Sequence, residues 1–444
     1  MSIWDRLFGS DDKSDNDSLP NYRFGRYSDA YKTAGHYRAW DASLEAFEDE
    51  KYLEAFEYFL QYLSDPAEEN VKFSQQDGQL YFEFYQGSKR VTGFANNEQF
   101  RAEAKIARMG DTPVTLLQRL TAVNYELKYS RFAIDGDRCL SIVFDTPLVD
   151  ASPHKLYHAL KEMALQADKQ DDLLLEEFKQ LLPVEINHLR QLNSTEKAGK
   201  LGFLNRKIEE ELTYLASNHC NPEEHPGAIA YLLLDLVYKL DFLIIPEGYT
   251  MEALERMHRM YFAREESQPV TYKNVRLLGE LQQLVQRAPE LFDAELYAGK
   301  STFGLTLPVD HDRIRNLIDR ELANMDWYQD NGFGRVALAV PGYIIGYSLF
   351  NYAIPLPDRD LFELYYRIRE DRYFRELGYQ QEFLDRDGRP ARRAIRNAIS
   401  EIGECHRKQF PRLRPGISTL EFDNLTNFSR SYLQMIRELD MGKV

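Results

Sequence analysis

Apolar and polar residues alternate with a period of two at 80–85 and again at 100–106. Such alternation is typical of half-buried antiparallel strands, because successive side chains of a strand point to opposite faces of the sheet. Two turn signals contain glycine, which tolerates the positive φ of a tight hairpin: Asp77-Gly78 and Gln86-Gly87. The pattern therefore predicts strands that are joined by short hairpins.

The period changes from two to that of a helix at Pro113, and a leucine stripe follows. The triplet Asp135-Gly136-Asp137 then separates two short strand patterns, as expected of an Asp-Gly hairpin. A second helix is predicted to begin at Ser152-Pro153. From about residue 70 to 172 the order is strands, helix, hairpin, helix, which indicates an α+β fold with an antiparallel sheet and packed helices.

That order comes with three characteristic phrases: Pro113-Val-Thr-Leu-Leu-Gln-Arg-Leu, Tyr129-Ser-Arg-Phe-Ala-Ile-Asp-Gly and Asp171-Asp-Leu-Leu. Together they resemble the YbjN-like and type III secretion chaperone-like superfamily. The resemblance covers about a quarter of the chain. It implies a protein that binds other proteins, as an acidic and often dimeric chaperone-like unit, and it implies no catalytic residue.

The regions on either side of this unit are mainly helical. Trp40 begins a predicted helical pair that resembles one tetratricopeptide-type hairpin and should pack on the neighbouring sheet, since one repeat cannot bury its own faces. The predicted organisation has six parts: a flexible acidic N-terminal segment (1–38), the helical hairpin (39–66), the chaperone-like α+β domain (67–180), a central helical segment (181–292), a second α+β region (293–372) and a C-terminal helical region with a basic cluster (373–444).

The central segment is predicted to begin as a helical run over 174–189, broken or kinked at Pro183. Further helices are predicted at 228–245, at 250–264 with Thr250 as N-cap, and at 275–286. In the region after them, strands are predicted at 336–340 and 343–350 between two helical patterns. Because this repeats the order strand, helix, hairpin, helix, a degenerate second copy of the α+β unit is possible.

Composition narrows the function. The net charge of −16 makes nucleic acid and anionic membranes unlikely partners, because both require a cationic surface. The three cysteines have no metal-ligand spacing, which favours free thiols and a cytoplasmic location. The most apolar stretch, 229–245, contains Asp235, Lys239 and Asp241, so it is predicted to be a buried helix and not a membrane span.

Few residues suggest a metal or cofactor. His154 and His158 have the i, i+4 spacing of helical zinc ligands, but the position of the zincin glutamate holds Lys155. The pairs His219-Cys220 and Cys405-His406 lie far apart in sequence, and adjacent residues chelate poorly. No metal, no cofactor and no catalytic residue is therefore predicted.

Two surfaces are candidates for binding a partner. The first is an apolar N-terminal tip with Trp4 and Phe8, which is either a terminus folded back on the domain or a docking helix. The second is a basic cluster over 386–414, with 9 basic and 3 acidic residues, including Arg392, Arg393 and Arg396. The cluster is either a solvated face, a set of internal ion pairs, or a site for an acidic protein; nucleic acid or phosphate is less favoured.

The leading hypothesis is a non-enzymatic protein-binding module, chaperone-like or adaptor-like, that acts through the sheet and helix surface of residues 70–172. Its partner is not identified by the sequence, and a homodimer is one option. The alternative is an enzyme whose active-site residues are dispersed around the central helices and the second α+β region. A pocket that gathers His258, Glu255 or His311 with other polar groups would favour this alternative.

Overall fold

A computed structural model describes residues 22–110, 113–184, 188–217, 219–263 and 268–442. The chain is an α+β protein, as predicted, with one seven-stranded antiparallel sheet and many helices. The sheet and the helices that cover it share one hydrophobic core, and the remaining helices share a second.

The strands of the main sheet lie in the order β1-β2-β3-β4-β6-β5, and β7 pairs with the end of β4. Their bounds are Val71–Gln76 (β1), Gln79–Gln86 (β2), Lys89–Ala95 (β3), Gln99–Met109 (β4), Arg131–Ile134 (β5), Cys139–Pro147 (β6) and Leu181–Pro183 (β7). The predicted hairpins are confirmed. Asp77 and Gly78 both have positive φ, at 49° and 75°, in the two-residue loop between β1 and β2, the geometry of a type I′ turn.

Four helices cover one face of this sheet: α1 (Ala34–Glu48), α2 (Tyr52–Leu63), α3 (Val114–Glu126) and α4 (Pro153–Glu177). The prediction that the first two pack on the sheet is confirmed. Phe56 of α2 is fully buried with its ring 5.3 Å from that of Phe100 in β4. Burial in this core also explains why apolar and polar residues alternate at 100–106. The apolar side chains of this stretch all point into the core: Phe100, Ala102, Ala104 and Ile106.

The second layer is built from eleven named helices among the described residues. They are α5 (Ser194–Ala216), α6 (Pro226–Ile244), α7 (Gly248–Phe262), α8 (Val270–Gln286), α9 (Pro289–Ala294), α10 (His311–Asp330), α11 (Gly334–Asn351), α12 (Leu356–Arg369), α13 (Asp371–Glu376), α14 (Arg392–His406) and α15 (Leu425–Arg437). Two short 3-10 turns lie at Leu148–Asp150 and Ile417–Thr419, and the two-residue strands Arg190–Gln191, Tyr297–Ala298, Leu307–Pro308 and Tyr352–Ala353 form two small pairs.

The two helices α6 and α11 form the centre of this layer and are buried on nearly all sides. They approach closely at Gly342, where an added Cβ would lie 1.9 Å from Oδ1 of Asp235. Asp235 forms an ion pair with Lys239 one turn along α6, at 3.1 Å, and Lys239 also reaches Glu370 at 3.1 Å. These charges are buried together, which compensates for the cost of removing each from water.

The prediction of strands at 336–340 and 343–350 is wrong, because both stretches lie within α11. Pro341 is accommodated inside this helix. The two predicted helical patterns around it are confirmed as α10 and α12. In the described part of 293–372 the strands are only two residues long, so this region does not repeat the sheet of the first unit.

Three further boundaries differ from prediction. The helix α4 ends at Glu177, and 181–183 forms β7 instead of continuing a helical run, because it pairs with Ala107, Arg108 and Met109 of β4. Thr250 lies inside α7, whose N-cap is Glu247. Residues 22–33, predicted to belong to a flexible segment, pack against the helical layer, where Phe24 is only 4% exposed.

A segment of the second layer completes the core of the first. Phe303 is 1% exposed and lies in the sheet core, with its ring 5.8 Å from that of Phe84. Its backbone is held by Gln86, whose Oε1 accepts a hydrogen bond from the N–H of Phe303 at 2.9 Å and whose Nε2 donates to its carbonyl at 3.2 Å. The two layers are therefore joined through buried apolar and polar contacts.

Candidate functional site

The outer edge of β1 presents unpaired backbone groups. Tyr85 donates its N–H to the carbonyl of Asn70, which sets the alternation of the antiparallel ladder. The backbone groups of Val71, Phe73 and Gln75 must therefore point away from β2. Among the described residues these outward N–H and C=O groups have no hydrogen-bond partner. An open edge of this kind can pair with another extended chain.

The opposite edge of the sheet, β5, is covered at Phe132. Phe132 points its N–H and C=O outward there, and Asn124 of α3 meets both of them. Its Oδ1 accepts from the Phe132 N–H at 2.7 Å, and its Nδ2 donates to the carbonyl at 3.4 Å. Since a side-chain amide replaces a neighbouring strand at β5, the two edges of the sheet differ in their capacity to bind.

A groove of about 580 Å³ lies beside the open edge, between β1 and α2. It combines aromatic, aliphatic and amide side chains with two carboxylates. The lining residues are Lys51, Tyr52, Leu53, Glu54, Glu57, Tyr58, Gln61 and Gln75. Lys51 is paired with Asp49 at 2.9 Å, whereas Glu54 and Glu57 form no ion pair with any described residue. The groove therefore offers apolar contact together with negative charge.

The solvent-facing side of the sheet carries a self-paired group of charges on β1, β2 and β3. Glu83 lies 3.3 Å from Lys72 and 3.4 Å from Arg90. Although burial opposes its ionisation, the hydroxyl of Tyr85 and the charge of Lys72 lower the pKa of Glu83. Because these charges already satisfy one another, this face is a weaker candidate for binding than the edge and its groove.

A pocket of about 990 Å³ lies elsewhere, where the N-terminal ends of α1, α10 and α12 meet the C-terminal residues 438–442. It gathers His311 with other polar groups, including Lys32, Thr33 and Arg315. A pocket that gathers one of the three named residues with other polar groups was expected to favour the enzyme alternative. This pocket meets that condition for His311.

His311 forms a buried pair with Asp358. Its Nδ1 lies 2.9 Å and 3.0 Å from the two carboxylate oxygens, and the side chain of Asp358 is fully buried. Burial raises the pKa of Asp358, although His311 opposes this effect. The second ring nitrogen, Nε2, is buried and has no hydrogen-bond partner in the described chain. The carboxylate therefore orients the ring and leaves one nitrogen unused.

Glu255 and His258 lie in a different place, in a buried network on α7. Arg26 joins Glu255 at 2.8 Å to Asp241 at 2.6 Å. The hydroxyl of Tyr238 lies 2.8 Å from Nδ1 of His258. Burial, followed by the charge of Arg26, lowers the pKa of His258 to about 4. This histidine is therefore neutral at physiological pH, and its ring packs within the helical layer against Tyr238 and Phe350.

A group of buried carboxylates lies where α4 meets α7. Asp171 forms an ion pair with Lys89 at 2.7 Å, Asp168 accepts from the N–H of Ser88 at 2.7 Å, and Asp172 accepts from the hydroxyl of Tyr297 at 2.9 Å. Burial and the charge of Asp171 raise the pKa of Asp168 to about 7 and that of Asp172 to about 8. Lys89 is thus the one cation paired with this group among the described contacts given above. Because their pKa values are raised, Asp168 and Asp172 hold protons near neutral pH.

The residues predicted to bind a partner are described only in part. Trp4 and Phe8 lie outside the described residues. Arg392 and Arg393 are exposed at the start of α14, and Arg396 is half-buried one turn later. These three arginines form no ion pair within the described chain, so the prediction of internal salt bridges does not hold for them.

The candidate metal ligands are engaged in other contacts. His154 packs its ring 5.0 Å from that of Trp40, and Nε2 of His406 lies 2.5 Å from Asp360. Cys139 and Cys220 are buried free thiols, whereas Cys405 is exposed. In the parts of the chain that the structure describes, no three His, Cys, Asp or Glu residues are placed to hold a metal ion.

The sequence did not predict the residue that covers part of the β5 edge or the arginine of the buried network on α7. Asn124 and Arg26 carry no local pattern, because their partners lie on other elements. One signal was present: Asp235 and Lys239 stand at i, i+4 within an otherwise apolar helix, which is typical of a buried ion pair.

No protein-family model matches this chain, and no curated protein is similar to it. Among the described residues, no helix is long and apolar enough to cross a membrane.

Proposed function

We propose that the protein is a non-enzymatic binding module for other proteins. It acts through the main sheet and the four helices that cover it, called the sheet unit below, and the contact is made at the open edge of β1. The observation that carries this proposal is the difference between the two edges. Asn124 meets the outward backbone groups of Phe132 on β5, whereas the outward groups of Val71, Phe73 and Gln75 on β1 have no partner in the described chain. The resemblance to chaperone-like proteins implies the same kind of role.

The groove between β1 and α2 defines which segment fits. An extended chain that pairs with β1 alternates its side chains, so every second one enters the groove. Apolar side chains would contact Tyr52 and Leu53, and a lysine or arginine would meet Glu57. The binding surface thus reaches beyond residues 70–172 onto the helical hairpin.

A peptide library displayed on phage provides the test, with the full chain as bait. Enriched peptides are synthesised with a fluorescent label, and their affinity is measured by anisotropy. Gln75→Pro removes an outward N–H that the fold does not use, and proline is tolerated at a strand edge with its nitrogen toward solvent. We expect this variant to weaken binding by at least about tenfold, equivalent to about 1.4 kcal/mol.

The matched control is Ile134→Pro on β5. Ile134 also points its N–H outward, as the hydrogen bond from Asp135 to Cys139 shows. This variant should bind the peptides as the unchanged chain does. If both proline variants bind equally well, or if no peptide is enriched, β1 is not the binding edge.

One observation favours a second candidate, an enzyme with a dispersed active site. His311 lines the pocket of about 990 Å³, and Asp358 holds its ring by Nδ1. In such a site Asp358 would position the ring, and Nε2, which is buried here, would act as general base once a bound substrate reaches it. The test is a small-molecule screen by thermal shift, repeated with His311→Gln. A compound that stabilises both proteins equally, or no stabilising compound, would speak against a site at His311.

A further inference from the structure

A second charged surface remains outside the proposed binding edge. It is formed at the start of α14 by Arg392, Arg393 and Arg396, and is referred to below as the arginine patch. A groove of about 490 Å³ lies beside it and shares no residue with the groove at β1. Its lining residues are Gln381, Ala391, Arg392, Arg393, Ala394 and Asn397.

Two of the three guanidinium groups are held in place before any ligand arrives. Arg392 and Arg396 lie over the ring of Phe422, at 5.2 Å and 5.6 Å from its centre. Phe422 is itself 7% exposed and packs on Phe428, so it is a fixed support. A cation held on an aromatic ring loses less freedom when it binds an anion than a mobile side chain does.

Among the described residues, the arginine patch has no anion paired with it. The chain carries a net charge of −16, yet no described acidic residue forms an ion pair with Arg392, Arg393 or Arg396. The Nε of Arg396 is also buried without a hydrogen-bond acceptor among the described residues. A buried donor without an acceptor costs free energy, which an oxygen ligand would recover.

From these observations we infer that the arginine patch binds an acidic segment of a partner protein, with carboxylate side chains on the arginines and a small apolar side chain over Ala391 and Ala394. Guanidinium groups bind carboxylates through two parallel hydrogen bonds, which suits them to this role. The apolar surface of Ala391 and Ala394 favours a peptide over a nucleic acid, since a phosphate backbone has no apolar side chain to place there. The strongly negative net charge also opposes nucleic acid.

The probe is a short fluorescein-labelled peptide rich in aspartate and glutamate, with leucine and alanine between them. Its matched control replaces the acids with asparagine and glutamine. Anisotropy should show binding of the acidic peptide alone, weakening as salt rises, because salt screens exposed charges. The triple variant R392E/R393E/R396E should bind at least about tenfold more weakly.

A charge-matched variant separates the patch from net charge. K105E/R108E/K128E makes the same change in charge at three exposed residues of the sheet unit, and should bind the peptide as the unchanged chain does. Arg393 lies over no aromatic ring of the described residues, so Arg393→Glu alone tests the inference if the triple variant does not fold. Each variant's fold is checked by circular dichroism.

Four outcomes would overturn the inference. Equal binding by the patch variant and the unchanged chain would show that the arginines are only a solvated face. Equal losses in the two triple variants would assign the effect to net charge. Binding of a phosphopeptide or an oligonucleotide in place of the acidic peptide would assign a different ligand. Stronger binding after deletion of residues 1–21 would make the chain's own acidic segment the occupant.

Discussion

Asn124 hydrogen-bonds to both backbone groups of Phe132, and so takes the place of a neighbouring strand at one edge of the sheet. The contact has an Oδ1 acceptor at 2.7 Å and an Nδ2 donor at 3.4 Å. The edge strand β1 has no such cover within the described chain. The sheet is therefore covered at Phe132 on one side and open along β1 on the other.

Asn124→Ala should lower the free energy of unfolding by about 1–3 kcal/mol, because it leaves backbone groups of Phe132 without partners. Denaturation in urea gives the measurement. Gln118→Ala on the exposed face of the same helix should change it by no more than about 0.5 kcal/mol. Equal effects of the two substitutions would mean that the amide contact contributes nothing.

Gly342→Ala should destabilise the protein by about 1–3 kcal/mol or more, since the new Cβ would lie 1.9 Å from Oδ1 of Asp235. The control is Gly279→Ala in α8, where, apart from the adjacent residues and the helix's own backbone, no described atom lies within 4 Å of the added Cβ. That change should stabilise by about 0.5–1 kcal/mol through helix propensity. In an Asp235→Ala background, Gly342→Ala should cost less; an unchanged cost would contradict the assigned contact.

Arg26→Gln should cost about 3–5 kcal/mol, because it leaves Asp241 buried without its cation, whereas Glu255 keeps Lys169 at 3.7 Å and Arg259 at 3.2 Å. Arg23 offers a control three residues away, since its ion pair with Glu68 is more exposed. Arg23→Gln should change stability by at most about 1 kcal/mol. The comparison uses the midpoint of thermal or urea unfolding, and similar costs at the two positions would refute the role of the Arg26 network.

The buried carboxylates on α4 should make the protein less stable as pH rises from about 4 to 8. The folded-state pKa values of Asp168 and Asp172, about 7 and 8, lie above the ordinary value of 3.8. Between these limits the folded chain binds more protons than the unfolded chain, so the stabilising contribution present at low pH is lost as pH rises through the folded values.

Asp172→Asn removes one of these titrations and keeps an oxygen that accepts from Tyr297. Urea unfolding at several pH values should therefore show a smaller loss of stability between about pH 4 and 8 than in the unchanged chain. Each proton taken up on folding contributes up to about 1.4 kcal/mol per pH unit. Identical pH profiles would mean that Asp172 is ionised throughout.

The strands and turns of the sheet unit could be predicted because the sequence patterns that specify them are local. Alternation with a period of two, and the glycines at 78 and 136, set strands and turns without reference to distant residues. The helix α11 did not follow, since a helix buried on all sides has no polar face and hence no period of 3.6. Pro341 and Gly342 then appeared to be a break between two strands.

The candidate sites show the same division. The exposed arginines at 392 and 393 are visible as a charge cluster, and so they were predicted. The open edge of β1 was not predicted. Which edge is open depends on the strand order of the sheet and on the position of Asn124. Arg26 and Asp241 are 215 residues apart, and no local pattern joins them.

The position of Phe303 in the core of the sheet unit has a consequence for the order of events during synthesis. All strands of the main sheet leave the ribosome first, but their core lacks this ring until about 120 more residues are made, on the order of 10 s at about 5–20 residues per second. In that interval the nascent sheet has an unfilled apolar site beside Phe84 as well as an open edge. The newly made chain is thus most exposed to unwanted pairing before its second half exists.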